Sequence, residues 1–373
     1  MPSKTYKAAV IGATKQGDYG HSHDTAFLDN PRIELVAVAD SDPEGLARNA
    51  KNLNVAKAYG DYREMLDKER PDLVAIGPRW VTDRVEMITA VAQAGCHMYC
   101  EKPFVGCVED ADAIVAACRT AGVKLTMAHQ FRAMPPVQKM LADLHAGKYG
   151  KLLRLNARPK DDHRGGGEEL IVHGTHLFDM MIAAAGWPLW AAGRVTVAGR
   201  EATKADVRQG NEPVGPIAGD GCSAQFGFDH GVTGFFESTA NLHRAHRSSF
   251  YGLLLECEEA LLHVRRFGDI YVYPAPVVLP EEEKFAWEKI WIPEWHFTPE
   301  HQPRDLSNWI DRGNKIMVSD LISAIEEDRD PLSSLDHARL ITEMVQGVYA
   351  SHFANGARQP LPLAERRHPL EQA

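Results

Sequence analysis

The stretch Ala8-Ala9-Val10-Ile11-Gly12-Ala13-Thr14-Lys15-Gln16-Gly17-Asp18-Tyr19-Gly20-His21 is an apolar strand running into a loop of small and polar residues. A dinucleotide site needs this grammar, because small residues let backbone N–H groups reach a pyrophosphate where the loop opens a helix. The loop departs from G-x-G-x-x-G: Thr14 stands at the second glycine, and the segment is about three residues longer than the pattern. The next strand, Glu34-Leu35-Val36-Ala37-Val38-Ala39, stops at Asp40, 20 residues after Gly20. An acidic residue there accepts hydrogen bonds from the adenosine ribose hydroxyls. Ser41 and Asp42 follow, with no arginine to hold a 2′-phosphate, so NAD is favoured over NADP.

Outward from this stretch, strands and helices alternate. Pro43 sits where helices start, and the helix runs to about Asn54. Strands are expected at Asp72–Ile76, Cys96–Cys100 and Val123–Ala128, and helices at Val85–Ala94 and Asp110–Thr120. Near-continuous apolar strands between helices imply a parallel sheet covered on both faces. After residue 130 the pattern changes. A strand at Leu152–Ala157 precedes one helix over about Glu168–Ala185. Strands then follow in succession: Val195–Val197, Ser223–Phe228, Val232–Ser238, Phe250–Glu256, Ala260–Val264 and Ile270–Tyr273. Such a run argues for an antiparallel sheet. The fold class is therefore α/β: a Rossmann-type parallel sheet over 1–130, then an α+β domain over 131–373 with a large, mostly antiparallel open sheet. Two amphipathic helices close the chain, the first with Val318, Leu321, Ile322 and Ile325 on one face. The polar segment Ala202–Gly219 reads as a surface loop. Trp287, Trp291 and Trp295 recur every fourth residue. Packing is their expected role, with stacking on a pyranose ring the alternative, and Pro293 argues against one continuous helix.

Composition excludes several functions. The chain has 373 residues, 44% hydrophobic and 25% charged, which is ordinary for a globular protein. Its net charge of −10, without a basic stripe, makes nucleic acid and anionic membranes poor partners. No run approaches the roughly 18 apolar residues of a membrane span, and the first residues lack a signal-peptide layout. A cytoplasmic protein is expected. Cys96, Cys100, Cys107, Cys118, Cys222 and Cys257 lack paired metal-site spacing and read as buried thiols.

Glu101-Lys102-Pro103, at the end of a strand, is similar to the E-K-P motif of the Gfo/Idh/MocA oxidoreductases, the glucose-fructose oxidoreductase and inositol dehydrogenase family. Its lead-in Ala94-Gly95-Cys96-His97-Met98-Tyr99-Cys100 also resembles that family. Gly147-Lys148-Tyr149-Gly150-Lys151 resembles the opening of its second domain, and His176 followed by Asp179 resembles its G-x-H-x-x-D helix. The resemblance covers nearly the whole chain, including Pro331 and the closing helices, which are expected to return to the first domain. It implies a nicotinamide cofactor lying near Lys102, held by Gly12, Ala13, Thr14, Gly17, Gly20, His21, Asp40, Ser41, Pro78, Glu101 and Gln130. It implies a sugar, cyclitol or related polyol against the C-terminal sheet, and a homo-oligomer, dimer or tetramer, built through the open sheet. Three positions depart from the family. Val172 stands where cyclitol-oxidising members carry an Asp, Pro78-Arg79-Trp80 replaces a P-N pair, and Arg84 takes the place of a His.

Hydride transfer from an alcohol carbon needs a base for the hydroxyl proton and a charge that steadies the oxyanion. Lys102 suits the second task and can share the first. Glu169, His173, His176 and Asp179 are spaced by four, three and three, which puts them on one face of a helix. His176 is the expected general acid/base, since its ordinary pKa lies near neutrality, with Asp179 or Glu169 orienting it and His173 in support. Arg132, Arg158 and His163, with Lys102, His173 and His176, are expected at the substrate. His173, His176, Glu169, Asp161, Asp162 and His163 are also adequate metal ligands, but a polar sugar pocket explains them equally and no metal is expected. The function expected is NAD-dependent hydride transfer to or from a carbohydrate, cyclitol or polyol. Two alternatives stand beside it: tightly bound NAD used in transient oxidation for glycoside cleavage or elimination, and a non-catalytic sensor of nucleotide and sugar.

Overall fold

The computed structural model describes residues 4–242, 251–265, 268–281 and 284–371; Met1 to Ser3 and Phe250, which the expectations above include, lie outside them. Two compact units form. One holds Met1–Gln130 and Asn308–Arg339, the other Phe131–Ser307 and Leu340–Ala373.

In the first unit the strands are β1 (Tyr6–Ile11), β2 (Ile33–Ala39), β3 (Lys57–Tyr59), β4 (Leu73–Ile76), β5 (His97–Cys100) and β6 (Leu125–Met127). They are all parallel, in the order β3-β2-β1-β4-β5-β6. This is the doubly wound order, whose ligand crevice lies where the winding reverses, between β1 and β4. The apolar runs have the expected cause: Leu73, Val74, Ala75 and Ile76 are wholly buried between two helical layers. The helices are α1 (Pro43–Asn52), α2 (Tyr62–Glu69), α3 (Arg84–Gln93) and α4 (Val108–Ala121). Asp42 caps α1 by accepting from Gly45 N at 2.8 Å, with Pro43 at the first position. β3 and α2 are short and mostly polar, so no apolar run announces them.

One expectation fails here: the loop after β1 opens no helix. Residues 12–32 form turns, with Lys15, Asp18, Ser22 and Asp29 at positive φ. Left-handed residues at these intervals break the helical repeat, and Asp, Ser and Gly favour turns instead. The loop folds back through a bridge between Ala13 and Asp18. Tyr19 fills the space over Gly12, where an added Cβ would meet its ring at 2.2 Å.

In the second unit α5 (Gln130–Ala133, whose first residue belongs to the first unit) and α6 (Pro135–His145) precede β7 (Leu152–Arg158). Then come α7 (Gly167–Val172), α8 (Gly174–Ala185), β8 (Trp190–Val197), and the short strands β9 (Arg200–Glu201), β10 (Arg208–Gln209) and β11 (Pro216–Ile217). The long strands are β12 (Gly221–Gly227), β13 (Thr233–Thr239), β14 (Gly252–Cys257), β15 (Leu261–Arg265) and β16 (Ile270–Tyr273). The remainder are β17 (Glu288–Lys289), α9 (Pro293–His296), α10 (Trp309–Glu326, in the first unit), α11 (Leu335–Phe353) and β18 (Gln359–Pro360). The ten-stranded sheet has the order β17-β16-β15-β14-β7-β13-β12-β8-β18, with β9 on β8. It is antiparallel except between β13 and β7. Alternate residues face α8, where Phe178 packs on Phe226 and Phe236 at 5.0 and 5.3 Å.

One further expectation is corrected. The helix over 168–185 is two helices, α7 and α8, meeting at His173, whose ψ is −28° and whose successor Gly174 is a poor helix former. The tryptophans pack as expected, though not on one helix: Trp287 lies against Tyr273, ring centres 5.5 Å apart, and Trp291 against His296 at 5.0 Å. Trp295 is buried in α9, whereas Trp287 and Trp291 on the extended segment around β17 remain 40% and 57% exposed. Among the described residues, all six cysteines are free, and no helix is long and apolar enough to cross a membrane.

Candidate active site

In the first unit the carboxyl ends of β1, β4 and β5 bring three loops together. Glu101, fully buried at the end of β5, holds them. Its carboxylate accepts from the backbone N–H of His21 at 2.7 Å and of Lys102 at 3.0 Å. The Nδ1 atoms of His21 and His23 each lie 3.1 Å from it. Burial alone would raise the Glu101 pKa; the imidazoles of His23 and His21 outweigh it and hold the carboxyl well below the usual range. His23 is wholly buried and stacked on Tyr99, ring centres 4.6 Å apart. The Tyr99 hydroxyl donates to Asn314 at 2.6 Å, and Gln130 Nε2 donates to the same oxygen at 2.7 Å. Asn314 Nδ2 returns to the carbonyls of His21 and Ser22 at 2.7 and 3.0 Å. Lys102 is buried and joined to Pro103 by a cis peptide.

Arg84 clamps the other loops. Its buried guanidinium donates to the carbonyls of Pro78 and Glu101, tying the ends of β4 and β5 together. This explains Arg84 as a structural cation. Asp40 turns toward the loop: its carboxylate accepts from Thr14 N at 3.1 Å, Thr14 Oγ1 at 2.6 Å and Asp42 N at 3.0 Å. Thr14 N also lies 3.2 Å from the other carboxylate oxygen, so two donors reach each oxygen of the buried Asp40. Ala13, Gln16, Pro78, Trp80 and Met87 line a cleft at the ends of β1 and β4. Gly17 and Gly20, both at positive φ, let the loop approach Arg79 N and Glu101 within distances a Cβ would forbid. The cleft at the winding reversal, lined by loop backbone, fits a dinucleotide. With no helix there, loop N–H groups rather than a helix terminus would meet the phosphates. Ser41 lies on the path from Asp40 to α1 and is exposed.

In the second unit Glu169 is the centre. Its buried carboxylate accepts from Lys160 N at 2.8 Å and Asp161 N at 2.9 Å, and lies 2.8 Å from His173 Nδ1. Burial pushes its pKa up to about 7, with the charges of Asp162 and Asp161 adding to the rise and the two backbone donors opposing it. The glycines before it explain how so polar a helix enters the interior. A Cβ on Gly165 would meet Ala240 N at 2.2 Å, and one on Gly167 would meet Ala218 O at 2.0 Å. Asp179 pairs with Arg132 at 3.0 Å. His173 packs edge-on to Tyr251 at 5.6 Å, and His176 edge-on to Phe131 at 5.7 Å. Phe131 and Tyr251 touch at 5.8 Å, so His173 and His176 border one aromatic pair. Arg158 pairs with Glu237 at 2.9 Å across β7 and β13, and His163 lies 3.7 Å from Asp162 on the loop before α7. Among the described residues no group of three His, Cys, Asp or Glu side chains is placed to hold a metal ion.

Four residues escaped sequence reasoning: His23, Asn314, Lys160 and Tyr251. Only His23 carried a local signal, two residues past His21 beside the loop. Asn314 reaches the site from α10, and no spacing pattern announces such a contact.

Residues 6–129 match the family described as "Oxidoreductase family, NAD-binding Rossmann fold". D-Apiose dehydrogenase of Paraburkholderia graminis is 35% identical over 147 residues, 39% of this chain and 38% of that protein. The alignment therefore spans about two fifths of that relative's length. Levoglucosan dehydrogenase of Pseudarthrobacter phenanthrenivorans is 24% identical over 266 residues, 62% of this chain and 68% of that protein. A levoglucosan dehydrogenase structure with NADH and levoglucosan superposes with a TM-score of 0.75 at 18% identity, covering 96% of this chain and 100% of that one. An NAD binding oxidoreductase from Klebsiella pneumoniae superposes with a TM-score of 0.75 at 20% identity, covering 96% and 99%. The two-part architecture is shared along the chain.

Proposed function

We propose that this chain, whose residues 6–129 match the NAD-binding Rossmann family of the Gfo/Idh/MocA oxidoreductases, is an NAD-dependent dehydrogenase of a carbohydrate, cyclitol or related polyol. The observation that carries the reading is Lys102: a buried lysine at the carboxyl end of β5, directly after a carboxylate that four groups hold in place. A lysine serving only a surface ion pair would not be buried there. The D-apiose and levoglucosan dehydrogenases among the relatives support the substrate class.

Bound NAD supplies the hydride acceptor. The chain's own groups handle the proton and the oxygen. Lys102 steadies the oxygen as negative charge grows on it. His176 takes the hydroxyl proton, with Phe131 fixing its ring from the side. The Glu169–His173 pair gives the second unit a further site that can hold a proton near neutral pH. Asp179, paired with Arg132, fixes the second turn of α8 below His176. A homo-oligomer built on the open face of the ten-stranded sheet belongs to the same reading.

The test is a titration of the purified protein with NAD and NADP by nicotinamide fluorescence, then a panel of aldoses, cyclitols, aldonates and uronates. Sustained formation of NADH with one of them, lost in Lys102→Ala and His176→Ala, is the expected result. Absence of nicotinamide binding would overturn the reading. A single reduction of retained cofactor that then stops would replace it with the internally recycled alternative.

A further inference from the structure

We propose that Lys160 is an anion-recognition residue of the substrate site, so that the sugar or polyol this protein binds carries a carboxylate. The proposal deepens the dehydrogenase reading and rests on it for the reaction, though not for the binding.

Lys160 follows the end of β7, in Arg158-Pro159-Lys160-Asp161. Its backbone N–H donates to Glu169 Oε1, the same oxygen that lies 2.8 Å from His173 Nδ1. One buried carboxylate therefore sets the lysine backbone and the imidazole relative to each other. The side chain then runs toward the aromatic pair. Its ammonium lies 5.8 Å from the centre of the Tyr251 ring, which borders His173 and touches Phe131, the neighbour of His176. A cation and two imidazoles thus border this aromatic pair.

What sets Lys160 apart is its partners. Nearby guanidiniums are paired within the unit: Arg164 with Asp162 at 2.8 Å and Glu212 at 3.1 Å, and Arg132 with Asp179 at 3.0 Å. Among the described residues no carboxylate lies within ion-pair distance of the partly buried Lys160 ammonium. Asp162, Glu169 and Glu212 favour its charge only from a distance, against burial and the Arg164 charge, which lower its pKa. A cation withdrawn from water without a counterion is costly, and a ligand carboxylate would relieve that cost through a charge-assisted hydrogen bond. A neutral polyol would not. Arg158 and His163 already have carboxylates beside them, at Glu237 and Asp162.

The experiment is calorimetric titration of the full-length protein with gluconate and glucuronate, each against its neutral counterparts sorbitol and glucose. Wild type, Lys160→Met and Lys160→Arg are compared, with thermal melting to confirm that each is folded. Wild type should bind at least one acid about tenfold more tightly than its neutral match, the worth of one hydrogen bond to a charged group. K160M should erase that preference without changing neutral binding, and K160R should retain part of it. Equal binding of acid and neutral sugar by wild type, or an acid preference that survives K160M, would overturn the proposal. NADH formation is followed separately. Acid binding lost in K160M without turnover by wild type would sink the dehydrogenase reading and leave this inference. Steady turnover of neutral polyols with no acid preference would do the reverse.

Discussion

Glu169 Oε1 lies 2.8 Å from Nδ1 of His173, one helical turn along, at the point where α7 gives way to α8. The pair stands inside the second unit with both side chains buried. A carboxyl with its pKa near 7, bonded to an imidazole, can share a proton near neutral pH. Val172 lies between the partners: the carboxylate sits three residues earlier and lies against the imidazole one residue later.

Glu169→Gln should expose this pair in two ways. Turnover should fall by about 10- to 100-fold, the usual effect of removing a carboxylate that orients an imidazole, and the pH–rate profile should lose one limb near neutrality. Stability should move the other way with pH. The folded pKa of Glu169, about 7, lies above the ordinary 4.5, so its contribution is full below about pH 4.5 and is lost as pH rises through 7. The loss is at most about 3 kcal/mol. Gln stays neutral, so urea midpoints of E169Q relative to wild type should improve steadily from pH 4.5 to 8. A constant difference across that range would contradict the assignment.

Asn314→Ala should cost about 3 kcal/mol, because it strips partners from the Tyr99 hydroxyl, from Gln130 and from two loop carbonyls, all in one buried cluster. Denaturant midpoints at unchanged slope would show it. NAD affinity should fall as well, since Asn314 holds the loop that carries His21.

Gly17→Ala and Gly95→Ala make a matched pair. Both glycines have positive φ, at 94° and 76°. A Cβ on Gly95 meets nothing within 4 Å, so that variant carries only left-handed strain, about 1 kcal/mol. A Cβ on Gly17 would stand 2.4 Å from Arg79 N, which is backbone and cannot swing aside. G17A should therefore lose nicotinamide binding in a fluorescence titration, while G95A keeps it. Equal effects would mean that the loop is not seated against residues 79 and 80.

Much of this was legible in the sequence. Strand interiors such as Leu73–Ile76 announce themselves because burial on both faces demands an unbroken apolar run. Asp42-Pro43 marks a helix start by capping chemistry that is wholly local. The turns of residues 12–32 were not legible. A glycine-rich loop after a strand suits both a helix entry and a turn, and the left-handed residues decide between them. The break at His173 was missed because the spacing of Glu169, His173, His176 and Asp179 fits one helical face. The partners, Glu169 with His173 and Arg132 with Asp179, come from tertiary packing instead.

The last prediction concerns the Glu101 carboxylate, which joins His21, His23 and Lys102. Its folded pKa is held well below the ordinary 4.5, so its contribution to stability is present above about pH 4.5 and is lost as pH falls through the folded value. Glu101→Gln keeps the shape but not the charge. At pH 7 the variant should be less stable by about 3 kcal/mol, because charge-assisted bonds in a buried cluster become ordinary ones. Below pH 4.5 the gap should narrow, since the unfolded wild-type chain takes up a proton there before the folded form does, and the amide has nothing to titrate. Melting temperatures of both proteins from pH 3 to 8 would settle it. Parallel curves would mean that the Glu101 pKa does not change on folding. The buried carboxylate would then play no part in holding the His21 loop against Lys102.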